Sequence, residues 1–162
     1  MKKIIFVCTG NICRSPTAQG VFEKMSRDDP AMQNWVAESR GTFGSFIGSS
    51  PHPETMRVAA EKGYDLSHIR SEQLSLKDFE EADYLYAMSV EHFDFMKSLA
   101  PSQYHKKIRL FMDYMPKVAG LERNKDTPDP LGEGLRSHQL VLKLIEMTVP
   151  EIIASLKLSA KK

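Results

Sequence analysis

Four short runs along the chain are continuously apolar and rich in β-branched or aromatic residues. Between them lie longer stretches whose apolar residues recur every three or four positions. Ile4 to Val7, bounded by lysines and by Gly10-Asn11, reads as a buried first strand. From Pro16 to about Arg27 the positions Ala18, Val21, Phe22 and Met25 fall at helical spacing, weakened locally by Gly20 and closed by Asp28-Asp29-Pro30. Trp35 to Ser39 is a short second strand. Pro53 to Lys62 reads as a helix capped by Gly63, with Met56, Ala59 and Ala60 inward, and Leu74 to Glu81 as a shorter one. Asp83 to Met88 is a third strand. Ser89 then caps a helix running through Phe93, Phe95, Met96 and Leu99 to Pro101. Ile108 to Met112 is the fourth strand, preceded by a basic run, His105-Lys106-Lys107, that reads as a solvated turn. A long polar connection from Asp113 to Pro130, with Pro116, Gly120 and Pro128, leads to a last helical pattern at Leu135, Leu140, Val141, Leu144 and Ile145. Pro150 is expected to break or kink it.

Strands that alternate with helices need crossover connections, so the pattern predicts an α/β fold with a four-stranded parallel sheet and helices on both faces. Ligands of such sheets sit at the carboxyl ends of the strands. At 162 residues, residues 1–162 read as a single domain. A hydrophobic content of 41% with 27% charged residues fits an ordinary soluble protein, and a net charge of +1 points to neither nucleic acid nor membrane as a partner. Lys2-Lys3 and the short apolar run after them make no signal peptide, so the expected compartment is the cytoplasm. Two cysteines, both in one loop, build no disulfide framework and lack the four-ligand spacing of a zinc site, although oxidation could join them.

That loop carries the chemistry. Cys8 ends the first strand, Arg14 follows six positions later, and Ser15-Pro16 has the form of a helix start, with a hydroxyl at the N-cap and proline at the first helical position. Backbone N–H groups of a strand–loop–helix turn can converge on one point and add to the positive end of the helix dipole, which makes an anion cradle. Gly10 permits close backbone approach. In this field the thiol of Cys8 is expected to ionise, giving a nucleophile at neutral pH. The planar fork of Arg14 suits two oxygens of a phosphate, and Ser15 can donate its hydroxyl to the Cys8 sulfur. Singly, each of these residues has an ordinary structural explanation. The joint spacing has a mechanism that uses every fixed position.

Cys8-Thr9-Gly10-Asn11-Ile12-Cys13-Arg14-Ser15-Pro16 resembles the signature of the low-molecular-weight protein tyrosine phosphatases, and Thr127-Pro128-Asp129-Pro130 resembles the acid loop of that family. The resemblance implies a flavodoxin-like, phosphotyrosine phosphatase I-like fold. It also implies hydrolysis of phosphotyrosine through a phosphocysteine: Cys8 as nucleophile, Arg14 stabilising the transition state, and Asp129 as general acid and then base, with Asp126 the weaker candidate. Thr9, Gly10, Asn11, Ile12, Cys13 and Ser15 would bind the substrate phosphate. No metal or organic cofactor is needed. The implied partners are phosphotyrosyl proteins or peptides, with inorganic phosphate and other oxyanions as inhibitors, acting on a monomer.

The chain departs from the family pattern in places. Ser89 stands where relatives often carry an aspartate, and His52 and Glu54 replace a supporting acidic and basic pair. Leu131-Gly132 follows the acid loop where relatives carry aromatic residues. The aromatic wall of the cleft falls by counting on Ser45, leaving Phe43 and Phe46 as alternatives, and His68 is expected to bond Asn11. The missing aromatic residues raise phosphoarginine as a second substrate class, while Ile12 favours the aryl one. Arsenate reductases share the cradle but need further cysteines. A phosphocysteine carrier would need neither Arg14 nor an acid loop.

Overall fold

The computed structural model describes residues 1–118 and 124–161. The middle of the expected polar connection, including Gly120, lies outside the described residues. Four parallel strands, β1 (Lys2–Cys8), β2 (Trp35–Gly41), β3 (Tyr84–Ala87) and β4 (Ile108–Leu110), form one sheet in the order β2-β1-β3-β4. Strand alternation divides β1 between two cores. Ile4, Phe6 and Cys8 join Phe22, Tyr86, Phe111 and Ile145 on one face, and Ile5 and Val7 join Phe79, Leu85 and Met96 on the other. Helices α1 (Arg14–Ser26), α2 (Pro53–Glu61) and α5 (Leu135–Ala160) cover the first face, and α3 (Leu76–Glu81) and α4 (Val90–Leu99) the second. The chain leaves β1 toward β2 on one side and returns to β3 on the other, so the end of β1 is a topological switch point. Cys8 stands there.

Several expectations are corrected. Pro150 lies inside an unbroken α5. An interior proline costs about 3 kcal/mol. Val149, Ile152, Ile153 and Leu156 are all buried beside it, each contributing about 1.5–3 kcal/mol, and that burial outweighs the loss. Leu140 falls off the buried stripe and is exposed. The inward face of α2 is Thr55, Val58 and Ala59. Met56 is only partly buried, and Ala60, one residue past Ala59, is turned out to solvent. The apolar run at β4 is extended only to Leu110; Phe111 and Met112 reach the core from a 3₁₀ turn over Phe111–Tyr114. The basic run is a 3₁₀ segment, Ser102–Lys107, whose Lys107 ammonium donates to the carbonyls of Phe79 and Glu80 at the end of α3. A cation there suits the negative end of the helix.

Candidate active site

The loop after β1 is a ring held from outside. The Cys8 carbonyl accepts from Thr42 N–H at 2.8 Å, Thr9 from Phe43 N–H at 3.0 Å, and Ile12 from His52 N–H at 2.8 Å. Gly10 accepts from the Ser71 hydroxyl at 2.9 Å, and Cys13 from Thr17 inside α1. In a trans peptide the next residue's N–H points opposite to the carbonyl, so carbonyls tied outward turn the following N–H groups inward. Asn11 makes the bend, at φ +57°. This left-handed conformation is tolerated by asparagine and is fixed here by both ends of its side chain. The Oδ1 accepts from Glu72 N–H at 2.9 Å, and the Nδ2 donates to Ser15 Oγ at 2.8 Å. His68, expected at Asn11, instead pairs with Glu23 at 2.9 Å near the surface.

Ser15 is not the helix cap. The helix starts one residue earlier, at Arg14, and its N-cap position, Cys13, makes no side-chain capping bond. This frees the Ser15 hydroxyl, fully buried, to meet Cys8 Sγ at 3.0 Å while Asn11 donates to it. Cys13 is buried as well, and burial pushes its thiol up to about 11. Both cysteines line the cleft but differ in environment: Cys8 sits beside the Ser15 hydroxyl, and Cys13 also packs toward Thr55.

Arg14 is 6% exposed and aimed across the ring. Its Nη1 donates to the Thr127 carbonyl at 3.1 Å, and its Nη2 donates to Thr9 Oγ1 at 3.4 Å and lies 3.7 Å from Asp129 Oδ2. The 127–130 segment is anchored where β3 ends, since Thr127 N–H donates to the Met88 carbonyl at 2.8 Å. Asp129 remains half exposed above the ring, its Oδ1 accepting from Leu131 N–H at 3.1 Å. Asp126 faces away and accepts from Val90 N–H at the start of α4, a structural place that weakens it as an acid.

His92 was missed in the sequence and occupies a central place. Ser89 caps α4 as expected, accepting from His92 N–H, and its Oγ also meets His92 Nδ1 at 2.8 Å. The other ring nitrogen meets Thr9 Oγ1 at 2.8 Å. A Ser89–His92–Thr9–Arg14 chain thus braces the guanidinium without the aspartate that the resemblance led one to expect at Ser89. Burial, and then the charge of Arg14, lower the His92 pKa to about 4, so the ring is neutral. Ser71, through its hydroxyl, and Glu72, through its backbone N–H, are further supports that carried no sequence signal, because they reach the ring only through folding.

A cleft of about 120 Å³ runs from Cys8 and Arg14 past Ile12 and Asp129 to Phe43, Ser45, Phe46 and Leu131. Both aromatic candidates line it. Phe46 lies directly over Gly10, where an added Cβ would fall 2.9 Å from its ring, and Phe43, 54% exposed, packs against Phe95.

The chain matches the family model described as low molecular weight phosphotyrosine protein phosphatase over residues 3–162. It is 34% identical to a low molecular weight protein-tyrosine-phosphatase of Streptomyces coelicolor, covering 96% of this chain and 93% of the relative. Its structure is similar to a protein tyrosine phosphatase of Entamoeba histolytica with Hepes in the active site, at 27% identity and a TM-score of 0.91, covering 99% of each chain. It also resembles Vibrio vulnificus Wzb in complex with benzylphosphonate, at 27% identity and a TM-score of 0.77, covering 92% of this chain and 94% of that one. Joined to a thiol, a guanidinium and a carboxyl converging on one cleft, these matches establish that the chain belongs to the low molecular weight phosphotyrosine protein phosphatase family.

Proposed function

We propose that the protein hydrolyses phosphotyrosine in proteins or peptides through a phosphocysteine at Cys8. The observation that carries this is the placing of Cys8, Arg14 and Asp129 around one cleft whose floor is a ring of inward N–H groups. In this reading Cys8 and Asp129, which both line the cleft, act on opposite sides of the phosphoryl group. The Cys8 thiolate attacks phosphorus, the P–O bond to the phenol breaks, and Asp129 gives the leaving oxygen its proton. Arg14 and the ring amides take the charge spread over the equatorial oxygens. Asp129, now a carboxylate, removes a proton from water, which releases phosphate and returns the thiolate, with Ser15 donating to the departing sulfur. The His92–Thr9 chain and the Thr127 carbonyl hold the guanidinium in its plane.

Phe43, Phe46 and Ile12 form apolar walls suited to an aryl ring, and a benzylphosphonate-bound relative supports the same substrate class. Steady-state turnover on phosphotyrosyl, phosphoseryl and phosphoarginyl peptides tests this: the phosphotyrosyl peptide is expected to be cleaved well ahead of the others. Faster cleavage of the phosphoarginyl peptide would overturn the aryl assignment. A stoichiometric burst of phosphorylation without turnover would mark a carrier instead.

A further inference from the structure

Behind the ring, where α2 begins and the acid loop gives way to α5, three side chains unused by the reaction converge. The donor atoms of His52, Glu54 and His138 all lie within 4.8 Å of one another. His138 is 3% exposed, and its Nε2 is buried with no hydrogen-bond partner among the described residues. Glu54 Oε2 is 3.2 Å away but without the alignment of a hydrogen bond.

The other ring nitrogen explains the orientation. Thr55 Oγ1 lies 2.9 Å from His138 Nδ1. In the tautomer in which Nδ1–H donates to this oxygen, Nε2 carries a lone pair. A buried lone pair then faces a carboxylate oxygen, two acceptors with nothing between them. A ligating histidine typically donates its second nitrogen in this way, which fixes the ring for the metal.

We propose that His52, Glu54 and His138 form a site for a zinc-class divalent transition metal, distinct from the phosphate ring. Two imidazoles and one carboxylate make a donor set suited to Zn²⁺, with a fourth position left to water on the exposed side of Glu54. Tetrahedral donors about 2.0–2.1 Å from zinc stand roughly 3.3 Å apart. The cluster must therefore contract by over an ångström at its widest pair. His138 is locked, so His52 and Glu54, both partly exposed, supply the movement. His52 now stacks on His138 with centroids 5.2 Å apart and accepts a long 3.2 Å bond from Glu54 N–H. Ligation exchanges that bond for the metal. An ion held here ties α2 to the start of α5, and, because His52 N–H holds the Ile12 carbonyl, it reaches the ring itself.

The test is calorimetric titration of the full chain with ZnCl₂ in a Cys8→Ser background, which removes the catalytic thiol as a competing ligand, followed by Co²⁺ absorption spectroscopy. One Zn²⁺ per chain is expected, weakened at least about tenfold by His138→Gln and by Glu54→Gln. Co²⁺ should give the visible d–d bands of a four-coordinate site, and Mg²⁺ should not compete. Glu54 is partly exposed, so Glu54→Gln stands alone should His138→Gln fail to fold. Absence of zinc binding, as when a shared proton bridges Glu54 and His138, overturns the site, as does binding indifferent to both substitutions. Neither readout requires turnover, so the result is independent of the phosphatase reading.

Discussion

Protonation of His92 is the perturbation whose cost can be worked from the structure. The ring is 2% exposed, bonded at Nδ1 to Ser89 and at Nε2 to Thr9, and burial together with Arg14 lowers its pKa from 6.5 to about 4. In the unfolded chain the imidazole takes a proton near pH 6.5, which the folded protein refuses until about pH 4. The stability contributed by the neutral ring is therefore complete above pH 6.5 and lost as pH falls toward 4. At 1.36 kcal/mol per unit the full loss is about 3 kcal/mol, of which roughly 2 kcal/mol is gone by pH 5. For a chain of this size that is a fall of about 4–8 °C in Tm. The assay is thermal unfolding of wild type and His92→Gln at pH 7.5 and pH 5.0. Gln cannot titrate, so the wild type should lose about 4–8 °C more than the variant between the two conditions. Equal losses would refute the reasoning, because other titrating groups are common to both proteins.

Asp129→Ala should slow cleavage of a poor phenolic leaving group by about 10²–10⁴-fold while sparing one that leaves unaided. Equal slowing of both would remove Asp129 as the proton donor. Arg14→Lys keeps the charge but loses the fork that holds Thr127, Thr9 and substrate together, so kcat should fall by roughly 10²–10³-fold with folding retained, checked by circular dichroism and kinetics. Gly10→Ala would place a methyl 2.9 Å from Phe46, turning that ring out of the cleft wall. KM for an aryl phosphate should rise more than KM for a small alkyl one, and equal KM changes would count against Phe46 as the wall. Alkylation at pH 7 should modify Cys8 and leave Cys13, whose pKa burial raises to about 11, as read by peptide mass spectrometry.

The strands and the ring were legible because their signals are local: an apolar run, a Cys–Arg spacing, a proline-flanked aspartate. The parallel sense of the sheet and the helices on both faces followed from the crossovers those runs require; the strand order did not. What stayed hidden was set by distance. Nothing about His92 in the sequence marks it as the brace for Thr9 and Arg14, since that contact joins residues 83 positions apart. The same holds for Ser71 on Gly10 and Glu72 on Asn11, each 61 positions away. Ser15 misled because Ser-Pro is a good cap locally; the pull of Cys8 and Asn11 on its hydroxyl outweighs capping. Pro150 misled for the opposite reason, a strong local rule overruled by buried neighbours.

The outward bracing of the ring has a consequence for the end of the cycle. A loop tied at its carbonyls by Thr42, Phe43, His52 and Ser71 has surrendered its conformational freedom during folding, so an incoming dianion pays almost no ordering entropy. The benefit does not depend on what is esterified to the dianion. Free phosphate therefore enjoys the same preorganised seat as the substrate and is expected to compete with it, the aryl walls alone favouring the ester.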